Sequence, residues 1–193
     1  RNGLDAAIAA AGSIRRTEIN IAGAGTSGEC WCGGGTHETE PFRTAMETCV
    51  LTTWMRLCGT LLEATRDPAY ADDVERTFYN AYLAALARDT GRFQMYGSLA
   101  GPRHRGVGQC GMDINCCAAN GPRGAGVFLR DLALADADAL FVNFYAPSET
   151  ALTLGGGARV VLAQTTDYPH DGKVRIEVRP AAETTFTLNL RIP

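Results

Sequence analysis

The sequence predicts an α+β fold of more than one domain, helical in its first part and an antiparallel β-sandwich in its last part. Between about residues 48 and 88, apolar residues recur every three or four positions, the period of a helix with one buried face. After about residue 137 the apolar period becomes two, and turn residues separate the short runs. We therefore expect domains at residues 1–136 and 137–193, with the second one incomplete.

The helical part is expected to contain two long helices joined by a short link. The first runs from about Thr48 to Arg66 and ends at Asp67-Pro68, because proline disfavours a helical residue before it. Its apolar stripe consists of Leu51, Trp54, Cys58, Leu61 and Leu62. The second helix is expected from about Ala71 to Arg88. Residues 89–126, with nine glycines and little periodicity, are expected to form a long functional loop.

Five strands are expected in the last part. Glycine and proline turn signals separate the runs at 141–145, 151–154, 159–165, 174–178 and 185–190. Short strands with this spacing are typical of an antiparallel sandwich.

Composition and charge exclude several classes of partner. The 193 residues are 46% hydrophobic and 20% charged, which is typical of a globular protein with a real core. A formal net charge of −3 without a basic run argues against nucleic acid and anionic membranes. No apolar run reaches the roughly 20 residues needed to cross a bilayer. The start at Arg1 and the end after a strand-like run indicate a segment of a longer protein, and the oligomeric state stays open.

The adjacent cysteines Cys116 and Cys117 are the most informative pair in the chain. Neighbouring cysteines rarely bond to each other, and on a strand their side chains would point to opposite faces. On a Gly/Pro-rich turn they more plausibly converge on a soft metal ion. Seven cysteines cannot all pair within one chain, so free thiols in a reducing compartment such as the cytoplasm are favoured.

Glu47 and Cys49 are the candidate partners of this pair. In mid-helix they would point about 200° apart, but at a helix entry, with Glu47 extended, both can face one ion. One carboxylate and three sulfurs suit zinc. The alternatives are a first-turn charge for Glu47 and a small buried side chain for Cys49. Cys58, on the apolar stripe, is expected to pack in the core.

Several motifs in order along the chain resemble the β-L-arabinofuranosidases, glycoside hydrolase family 127, and their close relatives. They are Glu47-Thr-Cys49 with Trp54, Tyr70 to Asn80 followed by Gly91-Arg-Phe93, Cys116-Cys117 with Asn120 and Arg123, Asn143-Phe-Tyr145, and Thr166 to Lys173. The resemblance implies the last part of an (α/α)6 barrel followed by a β-sandwich domain. It also implies a glycan substrate and retaining hydrolysis by a cysteine nucleophile.

Carried over by position, the resemblance implies a role for each site residue. Cys116 resembles the nucleophile, which the zinc also contacts, and Glu29 resembles the general acid/base. The other zinc ligands would be Glu47, Cys49 and Cys117. Tyr96 resembles a substrate-contacting tyrosine, with a register shift of one residue.

Departures from the family pattern leave the sugar open. The chain has Cys-Cys-Ala-Ala-Asn where the family often has Cys-Cys-Pro-Pro-Asn, and the stretch between Phe93 and Cys116 differs as well. We expect L-arabinofuranose or a related plant sugar, while activity of this segment alone stays open. The competing hypotheses are a non-catalytic zinc-stabilised carbohydrate-binding or structural module, and a thiol redox protein that uses Cys30/Cys32 or Cys116/Cys117. Cys110 stays unassigned and His37 is expected to be a polar loop residue.

Overall fold

The computed structural model describes residues 2–25, 30–31, 46–97, 99, 103 and 105–193. These residues form two compact units, Arg1–Phe128 and Leu129–Pro193. The helices are α1 Asn2–Thr17, α2 Thr48–Thr65, α3 Pro68–Thr77, a π-helical turn Phe78–Tyr82, α4 Leu83–Ala85 and α5 Cys116–Arg130. Among the described residues, no helix combines the length and apolar character that a membrane span requires.

The two long helices follow the predicted pattern, with a sharper turn between them. Arg66 adopts a left-handed conformation, φ 58°, and its N–H donates to the Leu62 carbonyl at 2.8 Å, which closes α2. The Asp67 carboxylate then accepts from the Ala69 N–H at 3.0 Å, and Pro68 occupies the first turn of α3. The second helix therefore starts three residues earlier than predicted, because cap and proline act together.

The core of the first unit lies along the predicted stripe of α2. Leu51, Trp54, Cys58, Leu61 and Leu62 are each at most 1% exposed. The prediction that Cys58 packs in the core is therefore confirmed.

The prediction of a long functional loop over residues 89–126 is wrong at its end, where α5 begins. The Asn115 side chain accepts from the Ala118 N–H at 3.2 Å and so caps the first turn of this helix. Gly121 and Gly124 then let aromatic rings approach, since an added Cβ would lie 2.2 Å from the Phe93 ring and 2.4 Å from the Tyr82 ring. In the sequence these glycines indicate a loop, but in the structure they allow aromatic side chains to pack closely against a helix.

The Tyr82 hydroxyl interrupts the hydrogen-bond ladder of α5. It donates to the Gly121 carbonyl at 2.5 Å and accepts from the Ala125 N–H at 2.9 Å, so it sits between two groups that would otherwise bond directly. The side chain of the π-helical turn thereby fixes the position of α5 in the first unit.

The second unit contains two three-stranded sheets. The strands are β1 Ala133–Ala135, β2 Ala139–Val142, β3 Ser148–Thr153, β4 Arg159–Thr166, β5 Val174–Pro180 and β6 Thr187–Leu190. The sheet orders are β1-β2-β6 and β3-β4-β5. The β3-β4-β5 sheet is antiparallel as predicted, but β2 and β6 pair in parallel, and the short β1 was not predicted. Side chains of both sheets, such as Leu140 and Leu162, share one buried cluster.

Candidate metal centre

Glu47 lies at the entry of α2, where the sequence places it. Its backbone is extended, with φ −65° and ψ 132°, and its side chain is fully buried. The next residue ties the helix start to the segment before α5: the Thr48 N–H donates to the Met95 carbonyl at 3.0 Å, and its hydroxyl donates to the Gln94 carbonyl at 2.7 Å. Glu47 and Cys49 can consequently face the same point, as the helix-entry geometry predicted.

Cys116 and Cys117 occupy the first turn of α5. The Gln109 side-chain oxygen accepts from the Cys116 N–H at 2.7 Å, and this bond anchors the helix start to the preceding loop. The Cys117 side chain is fully buried and its sulfur lies 3.8 Å from the Met95 carbonyl oxygen, whereas Cys116 is partly exposed. The two neighbouring thiols therefore differ in their access to solvent.

These two helix starts bring four candidate ligands together. One ligand atom each from Glu47, Cys49, Cys116 and Cys117 lies within 4.8 Å of the others. The Cys49 and Cys117 sulfurs are 3.3 Å apart, well beyond a disulfide bond of about 2.05 Å. The Glu47 Oε1 atom lies 3.8 Å from the Cys117 sulfur and 4.0 Å from the Cys116 sulfur.

The donor set fits a zinc ion. A tetrahedral site with Zn–S bonds of about 2.3 Å separates its ligand atoms by about 3.8 Å, close to the distances found here. Three sulfurs and a carboxylate oxygen are ligands that zinc accepts, while magnesium and calcium prefer oxygen alone.

The electrostatics of the cluster favour one thiolate, on Cys49. The Cys117 thiol donates a hydrogen bond to Cys49 and lowers the pKa of Cys49 to about 6. That same hydrogen bond, together with burial, raises the pKa of Cys117. Burial and the neighbouring Cys49 thiolate raise the pKa of Cys116. An ion bound here would release protons from the other two thiols, as metal binding to cysteine requires.

A cavity of about 200 Å³ lies beside the cluster. It is lined by Glu47 and Cys49, by Val50 and Thr53 of α2, and by Trp31. The Trp31 ring packs edge-on against Trp54, with centroids 6.4 Å apart. The cavity is therefore bounded by one aromatic side chain and by two of the candidate ligands.

The remaining candidate residues lie elsewhere or outside the described part. Glu29, Cys32 and His37 are outside the described residues. Tyr96 lines a different cavity, of about 400 Å³, together with Met46. Cys30 and Cys110 are exposed thiols.

Two residues near the cluster had no predicted role. Gln109 accepts from the Cys116 N–H, and Asn120 donates from its side chain to the Cys49 sulfur at 3.1 Å. The Cys-Cys-x-x-Asn spacing contains a signal for Asn120, because four residues on a helix return to the same face. Nothing in the local sequence indicates the contact of Gln109.

Comparison with known proteins identifies the family. Residues 13–128 match the model of the β-L-arabinofuranosidase GH127 catalytic domain, and residues 139–193 match that of the GH127 middle domain. The chain belongs to glycoside hydrolase family 127. The resemblance inferred from the motifs is thereby confirmed, and both family-127 models cover parts of this chain.

Solved structures of family 127 agree with this membership. A GH127 β-L-arabinofuranosidase from Geobacillus stearothermophilus T6 superposes with a TM-score of 0.76 and 27% identity, over 93% of this chain and 30% of its own. A GH127 β-arabinofuranosidase shares the fold with a TM-score of 0.72 and 24% identity, over 92% of this chain and 28% of its own. The chain thus spans about a third of the length of these proteins. A comparison with curated proteins gives no match.

Proposed function

We propose that this chain carries the zinc-binding part of a retaining glycoside hydrolase with a cysteine nucleophile. Its substrate would be a glycan containing L-arabinofuranose or a related sugar. The observation that carries the proposal is the convergence of Glu47, Cys49, Cys116 and Cys117 in a chain of family 127. In this proposal residues 1–136 form the last part of an (α/α)6 barrel, and residues 137–193 form an incomplete β-sandwich domain.

The four side chains divide into fixed ligands and a nucleophile. Glu47, Cys49 and Cys117 would hold the ion, and Cys116 would be both a further ligand and the residue that attacks the sugar. Burial supports this division, because the Cys117 side chain is fully buried while Cys116 is partly exposed and open to a substrate. Bound zinc would supply positive charge that keeps the cysteine sulfurs ionised at neutral pH.

The reaction follows the two-step route of retaining glycosidases. The Cys116 thiolate attacks the anomeric carbon and forms a C–S bond, while the bond to the leaving oxygen breaks and Glu29 protonates that oxygen. Glu29 then takes a proton from water, whose oxygen attacks the same carbon and releases the sulfur. Two inversions give net retention.

The role of Glu29 as general acid/base stays a prediction, because Glu29 lies outside the described residues. Trp31 lines the cavity that Glu47 and Cys49 also line, and a sugar bound in that cavity would lie next to the cysteines. A substrate contact from Tyr96 stays a prediction, since Tyr96 lines the larger cavity with Met46, the neighbour of Glu47 in sequence.

The replacement of Cys116 by serine tests the proposed nucleophile. In the full-length protein with zinc, we expect C116S to lower kcat on an aryl β-L-arabinofuranoside by about 10⁴-fold or more, the scale for loss of a catalytic nucleophile. The matched control is Cys110→Ser, which changes an exposed thiol and should retain the parent rate. Hydrolysis by C116S at the parent rate would show that another residue is the nucleophile.

The same preparations separate the alternative hypotheses. Zinc bound by a parent protein that cleaves no sugar in a broad aryl-furanoside panel would favour the carbohydrate-binding or structural module. A parent protein that binds no zinc under reducing conditions would leave the thiol redox hypothesis.

A further inference from the structure

We propose that Asn120 is a positioning residue of the metal centre: its amide donates a hydrogen bond to the Cys49 sulfur, and Arg123 holds the amide in that orientation. The inference rests on the proposed metal site. It adds a group that binds a ligand sulfur and not the ion itself.

The contact joins the two helices that form the site. The Asn120 Nδ2 atom of α5 lies 3.1 Å from the Cys49 sulfur of α2. The hydroxyl of Thr52, one helical turn after Cys49, donates to the Asn120 carbonyl at 3.2 Å. One face of α2 therefore binds both the side chain and the backbone of the same residue of α5.

Arg123 determines which end of the Asn120 amide faces the sulfur. A side-chain amide has a donating and an accepting end, and only its partners distinguish them. The Arg123 Nη1 atom lies 2.8 Å from the Asn120 Oδ1 atom, and a guanidinium only donates. The oxygen must consequently face Arg123, which turns the NH₂ group toward Cys49.

A donor at this position affects how the sulfur binds an ion. An N–H···S bond stabilises negative charge on the sulfur and fixes the direction of its lone pairs. Groups that orient metal ligands in this way typically contribute 10–100-fold to metal affinity. We therefore expect Asn120 to strengthen the hold of Cys49 on zinc.

The test uses full-length protein loaded with Zn²⁺ or Co²⁺. For Asn120→Ala we expect the Zn²⁺ Kd, measured by chelator competition, to rise about 10–100-fold. The sulfur-to-cobalt charge-transfer band should also move to lower energy, because the sulfur loses a hydrogen bond. Asn120→Asp retains the shape but replaces the donor by an acceptor, and should lose at least as much affinity. Arg123→Met frees the amide and should give a smaller shift of the band in the same direction.

Asn189→Ala is the matched control, because the Asn189 amide donates to the Leu140 carbonyl in the second unit. This substitution should change neither the Zn²⁺ Kd nor the energy of the charge-transfer band. An unchanged band energy in Asn120→Ala would overturn the proposal even if less ion is bound, because a merely structural effect lowers occupancy and leaves the bound site unaltered. A parent protein that binds neither ion would overturn the metal site itself, and this inference with it.

Discussion

At the scale of single residues, Cys49 and Cys58 lie on the same helix, but their pKa values are shifted in opposite directions. Nine residues separate them, which places them about 180° apart around α2. The hydrogen bond from Cys117 lowers the pKa of Cys49 to about 6. Burial, with the charge of Asp73 added, raises the pKa of Cys58 above its usual 9.0. The helix thus presents one reactive thiol to the cluster and one inert thiol to the core.

The raised pKa of Cys58 predicts a pH dependence of stability. The pKa of Cys58 is higher in the folded protein than in the unfolded chain, where it is about 9. Below pH 9 the thiol is neutral in both states and the stability from its burial is complete. Above pH 9 the unfolded chain loses this proton more easily than the folded protein, so that stability is lost as the pH rises. At pH 7 we expect Cys58→Ala to be less stable than the parent by about 1 kcal/mol, the scale of one buried methyl-sized group. The difference should shrink toward pH 10 in urea unfolding. An equal difference at both pH values would contradict the burial of this thiol.

Sequence reasoning could predict which four candidate ligands come together, but not what surrounds them. Glu47, Cys49, Cys116 and Cys117 are marked by residue type and close spacing. The spacing of Asn120 from Cys116 indicates its face of the helix, but its bond to Cys49 depends on how two helices pack. The bond of Gln109 to Cys116 depends on how a loop packs on the helix start, which no local pattern contains.

At the scale of elements, α5 depends on close packing against the π-helical turn. Its first turn carries two candidate ligands, and the Tyr82 hydroxyl is inserted into its backbone ladder. The sequence did not predict this helix, because glycine and proline lower helix propensity and tertiary contacts here outweigh that preference. The α2 helix, with a regular apolar stripe and clear end signals, was predicted within two residues.

Two alanine substitutions in α5 test this packing. Gly124→Ala would place a Cβ 2.4 Å from the Tyr82 ring, which is buried, and we expect it to destabilise the protein by about 1–3 kcal/mol. Gly126→Ala has no atom within 4 Å, so it should be neutral or stabilise by up to about 1 kcal/mol. Urea unfolding of the full-length variants measures both. Similar midpoints for the two variants would show that Tyr82 does not pack on α5 as described.

At the scale of the whole molecule, the candidate site depends on residues that are distant in sequence. Cys49 and Cys117 are 68 positions apart, and each lies at the start of its own helix. The switch from helical to strand period predicted the order of the helical and strand parts. The parallel pairing of β6 with β2 could not be predicted, because strand pairing depends on non-local contacts.

We therefore expect removal of the proposed zinc ion to lower the stability of the first unit. For full-length protein stripped with a chelator under reducing conditions, we expect a lower thermal midpoint. Zinc at about 100 times its Kd should restore about 2.7 kcal/mol of stability. The matched control is Cys49→Ser, which should respond far less to the chelator and to added zinc. A parent protein whose thermal midpoint changes neither after treatment with the chelator nor after addition of zinc would argue against a metal in this cluster.

The 3.3 Å separation of the Cys49 and Cys117 sulfurs also has a consequence for chemical ageing. Oxidants attack thiolates rather than thiols, so Cys49 is the first target in metal-free protein. Peroxide would convert it to a sulfenic acid, and the Cys117 thiol would then displace water and form a disulfide. That bond would remove two of the four donors at once. An ion bound to the proposed site would therefore protect these sulfurs from oxidation as well as supply positive charge.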